Sequence, residues 1–138
     1  MTPQQADIVR RSFDAIWPVH RKFAALFYER FFALAPHAQK LFSSNLEKQQ
    51  VALMDMIAAM VGALDERELF HSIIRHTGEQ HARFGVKYSD FVVFGEALIW
   101  ALETQFATAF TPDLREAWIA LYRTVQDEML KAANLKAR

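Results

Sequence analysis

Five histidines are the only strong transition-metal ligands in this sequence, because it contains no cysteine. Three of them, His71, His76 and His81, follow one another at intervals of five residues. On a helix a step of five residues turns the chain by about 140°, so these three side chains cannot converge on one metal ion. The sequence also lacks the four-residue histidine spacing of a zinc protease. A di-iron bundle needs Glu-x-x-His pairs from two helices, and Glu79-Gln80-His81 has the wrong spacing. We therefore expect no site for a bare metal ion.

The position of His81 on its predicted helix indicates another use for an imidazole. At about 100° per residue, His81 lies roughly 80° from Ile73 on the apolar face, on the side that also carries Phe84. His76 lies at the opposite margin of that face, and His71 points away from it. An inward histidine is usually a satisfied core residue, but a histidine in apolar surroundings is also how a haem iron is held. Helix geometry alone leaves both interpretations open.

Two polar side chains could act on a ligand from the opposite side of such an iron. Tyr28 lies in a phenylalanine-rich stretch with Phe27 and Phe31, and Gln49 lies one helical turn before Leu53. Tyr28 is also consistent with an amphipathic core residue, and Gln49 with a solvated residue in the first turn of a helix. A tyrosine hydroxyl or a glutamine amide would stabilise the negative charge that dioxygen acquires on ferrous iron.

Helix caps and apolar periodicity predict the elements that must position these residues. Thr2 to Gln5 has the pattern of a capping box, and Thr111-Pro112 has the pattern of a second helix start. Apolar residues spaced by three and four, with only four glycines and four prolines, predict six or seven helices with short connections. The sequence therefore predicts an all-α fold. The predicted helices end near residues 18, 35, 63, 83, 110 and 134, with Ser89 or Asp90 as the cap of the fifth.

Composition excludes several classes of protein. The chain carries 16 basic and 16 acidic side chains, without the basic excess that is typical of nucleic-acid-binding proteins. The absence of cysteine removes disulfides, thiolate zinc sites and cysteine nucleophiles. No apolar run reaches the roughly 18 residues of a membrane span, and the polar start is unlike a signal peptide. We expect a cytoplasmic protein with one domain over residues 1–138.

Several motifs, in one order and spacing along the whole chain, resemble those of bacterial globins. The proximal region and the last helix are similar to the flavohaemoglobin-type branch, which includes single-domain bacterial haemoglobins. The motifs that carry the resemblance are Leu26 to Phe32, Ala35-Pro36, Leu41-Phe42, His81 to Lys87, Phe94 to Leu98, Ala117-Trp118 and Tyr122.

This resemblance implies a globin fold that encloses a b-type haem, with His81 as the proximal iron ligand. It implies Tyr28 as the distal donor to the bound ligand. Gln49 would be the distal polar residue, or Gln50 if the preceding loop is one residue out of register. Leu53 would be the apolar distal contact. The other residues that the resemblance implies as haem-lining are Phe42, Ile57, Phe84, Val86, Phe91 and Phe94.

Two positions depart from the flavohaemoglobin pattern. In that family a tyrosine and a glutamate brace the proximal histidine, and the matching positions here are Phe91 and Ala133. Tyr88 and Glu128 could substitute, although neither is in the matching register. A hydrogen-bonded carboxylate makes an imidazole a stronger electron donor, which favours oxygen activation over reversible binding. Its absence therefore favours an oxygen carrier.

The sequence thus predicts a haem globin that binds dioxygen reversibly, for storage or delivery, and that also accepts nitric oxide and carbon monoxide. One alternative is a nitric oxide dioxygenase that depends on a separate reductase, because no flavin or nicotinamide domain is recognised. A second alternative is a gas sensor that acts on a partner chain, and a third is a cofactor-free helical interaction module. We expect no nucleic-acid partner, no membrane insertion, and either a monomer or a homodimer.

Overall fold

Helices make up nearly all of the chain in the computed structural model, which describes residues 1–41, 45–83 and 86–133, without the side chains of residues 41 and 81–83. Three short 3-10 helices, Trp17–Val19, Pro36–Leu41 and Ala107–Ala109, lie between α-helices. The predicted all-α class is confirmed. The α-helices of the described residues are α1 (Pro3–Ile16), α2 (His20–Leu34), α3 (Leu46–Gly62), α4 (Arg67–Arg83), α5 (Tyr88–Phe106) and α6 (Pro112–Ala132).

Side-chain caps fix the starts of three helices. The Thr2 hydroxyl accepts from the backbone N–H of Gln5 at 3.1 Å, and the Gln5 side chain accepts from the Thr2 backbone N–H at 2.9 Å, so the predicted capping box is confirmed. Thr111 caps α6 and Asn45 caps α3, each by accepting from the amide three residues on. These contacts satisfy N–H groups that the first turn of a helix leaves unpaired.

Helix α5 differs from the prediction at both ends. It begins before Ser89, and Asp90 lies inside its first turn, where the carboxylate accepts from the backbone N–H of Lys87 at 2.9 Å. A carboxylate three residues into a helix can reach back in this way, so the cap is Lys87 and the prediction of Ser89 or Asp90 is wrong. The helix ends earlier than expected because Ala107 has φ of 51°, a conformation that interrupts a right-handed helix.

An apolar stripe on α2 forms part of the core. Phe23, Phe27 and Phe31 are almost fully buried, whereas Leu34 at the end of the same stripe is exposed. Trp17, predicted inside the first helix, lies in the following 3-10 helix and is exposed as well. The four-residue spacing of the three phenylalanines places them on the face of α2 that packs against α5 and α3.

Packing between helices that are distant in sequence closes the fold. α2 packs on α5, and both α1 and α4 pack on α6. The indole N–H of Trp118 donates to the Ser12 hydroxyl at 2.9 Å, which joins α6 to α1 through a buried hydrogen bond. None of the helices in the described part of the chain has the length and apolar character needed to cross a membrane.

Candidate functional site

Tyr28 and Gln49, predicted as donors on the ligand side, lie in contact. Tyr28 is 3% exposed, and its hydroxyl donates to the backbone carbonyl of Gln49 at 3.1 Å. The ring of Phe27 holds the Tyr28 ring in an edge-to-face arrangement, with 5.0 Å between the centroids. The hydroxyl of α2 is thereby fixed against the first turn of α3.

Burial sets the protonation state of this hydroxyl. Removal from water penalises the phenolate, and this raises the pKa of Tyr28 well above its ordinary value. Tyr28 therefore keeps its proton to a higher pH than an exposed tyrosine does, and its hydroxyl is the donor in the contact with Gln49.

Buried apolar residues follow Gln49 along α3. Leu53 and Ile57, one and two helical turns further on, are buried as the predicted apolar stripe requires. Gln50, the alternative distal residue, is half-buried and lines a polar cleft of about 180 Å³ between α2 and α3. Tyr28 and Gln49 are not among the residues that line this cleft.

An apolar cavity of about 60 Å³ lies between α3, α5 and α6. Ile57, Phe91 and Phe94, three of the residues predicted to line a haem, line this cavity. This volume is enough for a few water molecules. Its chemistry fits the faces of a porphyrin, because the remaining lining residues are mostly apolar: Met56, Met60, Leu98, Trp118, Leu121, Tyr122, Val125, Gln126 and Met129.

Tyr122 fixes the α5 wall of the cavity. Its hydroxyl donates to the backbone carbonyl of Phe91 at 2.5 Å, and its ring stacks on Phe94 with 6.0 Å between the centroids. The ring lies against Gly95, where a Cβ atom would come within 2.5 Å of it. Burial raises the pKa of Tyr122 and outweighs the opposing effect of its hydrogen bond with the Gly95 backbone.

Residues predicted around the proximal histidine are placed differently from the expectation in one case. His76, predicted at the margin of the apolar face, is exposed, whereas His71 is half-buried and its Nδ1 lies 3.6 Å from the Glu128 carboxylate. His71, predicted to point away from the apolar face of α4, is thus partly packed against α6. The reason is that α4 has a second packed face, which lies against α6.

Part of the predicted site lies outside the described residues. His81 lies in α4, as predicted, but its side chain is among those not described, and Phe42 and Phe84 fall outside the described ranges. Val86 is half-buried against the core. The role of His81 as an iron ligand stays a prediction. Among the described side chains, no group of three or more histidines and carboxylates could hold a bare metal ion.

One contact was not predicted from the sequence. The Nε2 atom of His37 lies 2.7 Å from the Asp90 carboxylate, at the border between the Pro36–Leu41 helix and α5. Because the two residues are 53 positions apart, no local pattern could have indicated this pair.

Comparison with known proteins identifies a family model and proteins of related sequence that this chain matches. Residues 25–129 match the family model described as Globin. The chain is 26% identical over 143 residues to the neuroglobin of Tetraodon nigroviridis, an alignment that covers 94% of this chain and 90% of that protein. It is 25% identical over 125 residues to the flavohemoprotein of Vibrio cholerae, covering 88% of this chain but 32% of that protein. Since the two identities are nearly equal, the bacterial branch stays a prediction.

A solved structure supports the fold independently. The chain superposes on a hexacoordinated heme protein from an anhydrobiotic tardigrade, crystallised at pH 4, with a TM-score of 0.88. The alignment covers 97% of this chain and 96% of that protein at 16% sequence identity. At that identity the similarity is one of fold.

Proposed function

The chain belongs to the globin family, and from this premise we propose that it binds a b-type haem and, through it, takes up dioxygen reversibly for storage or delivery. The observation that carries the proposal is the contact between Tyr28 and Gln49, which brings two predicted ligand-side residues together from different helices. A bound haem supplies the iron atom at which small gaseous ligands bind and dissociate.

In this proposal, apolar residues hold the haem and exclude water from it. Ile57, Phe91 and Phe94 already line one cavity, and Leu53 extends its α3 wall towards Tyr28. His81 supplies the imidazole that holds the iron. The remaining contacts are assigned to Phe42, Phe84 and Val86.

In this proposal the Tyr28 hydroxyl donates a hydrogen bond to the ligand. It is protonated at neutral pH, as tyrosine ordinarily is, and burial raises its pKa further. To reach the ligand it turns away from the Gln49 carbonyl, which belongs to a helix and keeps the helical N–H partner that such carbonyls have. Releasing that contact therefore leaves no orphaned backbone group, and the Gln49 side-chain amide would add a second donor.

The first experiment is an absorption spectrum of the purified protein in the ferric state, after reduction with dithionite, and then in air and in carbon monoxide. We expect a haem band that responds to both gases and a stable oxygenated form. A protein that shows no haem band, even after hemin is added, would overturn the proposal. An oxygenated form that turns ferric within seconds would favour oxygen or nitric oxide chemistry instead.

The iron ligand is tested by His81→Gly. We expect this variant to lose haem or to lose the spectrum of a histidine-bound iron, because no other imidazole is predicted on the same side. His76→Gly is the matched control, since it places a glycine in the same helix, at a similar cost of about 1 kcal/mol, but at an exposed position. Normal haem retention and normal spectra in the His81 variant would contradict the assignment.

Similarity to flavohemoproteins favours nitric oxide dioxygenation as a second candidate function. Each cycle that converts nitric oxide and dioxygen to nitrate leaves ferric iron, so turnover requires an electron from a separate reductase. We expect the protein alone to consume about one equivalent of nitric oxide when it starts in the oxygenated form. Sustained consumption with a nicotinamide-dependent reductase present would make this candidate the better one.

A further inference from the structure

Asp90 is a buried carboxylate with a separate partner for each oxygen atom. It is 4% exposed and is the only buried acidic residue in the described part of the chain. One oxygen accepts from the backbone N–H of Lys87 at 2.9 Å, and the other lies 2.7 Å from Nε2 of His37. Burial of a carboxylate is costly unless its oxygens are hydrogen-bonded, so His37 satisfies half of this group.

His37 reaches this carboxylate from the surface. Its side chain is 61% exposed, whereas its neighbour Ala38 is fully buried. Because the imidazole fills no space in the core, its removal would break the contact with Asp90 without creating a cavity. A variant at His37 therefore reports on the contact itself.

The contact joins two segments that flank the candidate site. The 3-10 helix that carries His37 ends at Leu41, and the next residue in the sequence is Phe42, which is predicted to pack on the haem. Asp90 directly precedes Phe91, which lines the apolar cavity and is held by Tyr122. His37 and Asp90 thus connect the segment before Phe42 to the start of the α5 wall.

We propose that His37 is a positioning residue that holds these two segments together through Asp90 and so slows the release of haem. This inference rests on the proposed haem binding. Phe91, the residue after Asp90, lines the apolar cavity, so a movement of the start of α5 also moves one wall of the proposed site. A hydrogen bond between a carboxylate and an imidazole that must break during this movement raises the barrier to release.

The test compares four proteins: the unchanged chain, His37→Ala, His37→Gln and Val9→Ala. The glutamine variant keeps an N–H donor at the position. The Val9 variant removes buried methyl groups from α1, away from the cavity, and lowers stability by another route. Each haem-loaded protein is mixed with an excess of a haem-free acceptor globin, and transfer is followed by absorbance, with a urea unfolding midpoint measured in parallel.

We expect His37→Ala to release haem about tenfold faster than the unchanged chain, and His37→Gln to stay within about threefold of it. Val9→Ala should also stay within about threefold despite a lower unfolding midpoint. If His37→Ala releases haem within twofold of the unchanged rate, the inference is wrong. Equal acceleration by Val9→Ala would show that lost stability alone explains the effect, and would overturn the inference too.

A second measurement needs no haem. In the haem-free protein, we expect hydrogen exchange at the Lys87 N–H to be faster in His37→Ala, because the Asp90 carboxylate that accepts from it is less firmly held. Unchanged exchange would mean that Asp90 is fixed without His37, which contradicts the inference. A chain that binds no hemin would overturn the proposed function and the inference with it. Normal hemin binding with an unchanged release rate would overturn the inference alone.

Discussion

The Tyr28 hydroxyl has two competing acceptors in the proposed function. It donates to the Gln49 carbonyl at 3.1 Å, and it must leave this acceptor to donate to a ligand. A hydrogen bond to a neutral carbonyl contributes about 0.5–1.5 kcal/mol, and one to a charged acceptor about 1.5–3 kcal/mol. The net stabilisation of the ligand is the difference between the two. The net stabilisation of the ligand is therefore smaller than a hydroxyl without a competing acceptor would give.

For Tyr28→Phe we expect dioxygen to dissociate about tenfold faster, which corresponds to a net loss of about 1.4 kcal/mol. The phenyl ring keeps its packing against Phe27, so the change is confined to the hydroxyl. Stopped-flow mixing of the oxygenated protein with dithionite or carbon monoxide measures the rate. Thr104→Val, which removes an exposed hydroxyl from α5, is the control and should leave the rate unchanged. Agreement of the Tyr28 variant with the unchanged chain to within twofold would mean that Tyr28 is not the donor.

At the scale of single residues, the sequence could predict the residues of the candidate site better than the contacts between them. The resemblance indicated Tyr28 and Gln49, but their contact runs through a backbone carbonyl, which no side-chain pattern encodes. Asp90 was predicted as a cap on local grounds. Its partner His37 depends on how two distant segments pack, so it could not be predicted.

At the scale of helices, Gly78 permits a close approach that a side chain would prevent, whereas Gly62 does not. A Cβ atom on Gly78 of α4 would lie 2.9 Å from the Cβ atom of Ala132 and 2.9 Å from the carbonyl oxygen of Met129 in α6. A backbone oxygen cannot rotate away, so α4 itself would have to move. Gly62 at the end of α3 has no atom within 4 Å of such a Cβ position. The two glycines therefore form a matched pair of test sites.

Gly78→Ala should lower the free energy of unfolding by about 1–3 kcal/mol, because overpacking at the α4–α6 contact exceeds the gain in helix propensity of about 1 kcal/mol. Gly62→Ala should leave stability unchanged or raise it by up to about 1 kcal/mol, since only the propensity gain applies there. Urea unfolding of the haem-free proteins, followed by circular dichroism, measures both. A Gly78 variant as stable as the unchanged chain would show that α4 and α6 separate at little cost.

At the scale of the whole molecule, the helices could be predicted because their determinants are local. The capping box at Thr2 and the phenylalanine stripe of α2 lie within a few residues of the structure that they specify. The end of α5 depends instead on the backbone conformation of Ala107, which no residue type in that stretch indicates. The second packed face of α4, which buries part of His71, depends on where α6 lies.

The whole fold should lose stability in alkaline solution because two tyrosines keep their protons when folded. Burial raises the pKa of Tyr28 and of Tyr122 above the value near 10 that tyrosine has in an unfolded chain. Below pH 10 both states are protonated, and the stabilisation is fully present. Above pH 10 the unfolded chain releases these protons and the folded chain retains them. The unfolded state is therefore favoured progressively as the pH rises.

We expect the free energy of unfolding to fall between about pH 10 and pH 11 by up to roughly 1.4 kcal/mol for each of the two tyrosines. Urea unfolding of the haem-free chain at pH 8, 10 and 11 measures the fall. Tyr28→Phe and Tyr122→Phe should each flatten it by about half, and the double variant should remove most of it. Other groups that titrate in this range are common to all four proteins, so the difference between them isolates the tyrosines. An equally steep fall in the double variant would mean that these two hydroxyls ionise as readily in the folded chain as in the unfolded one.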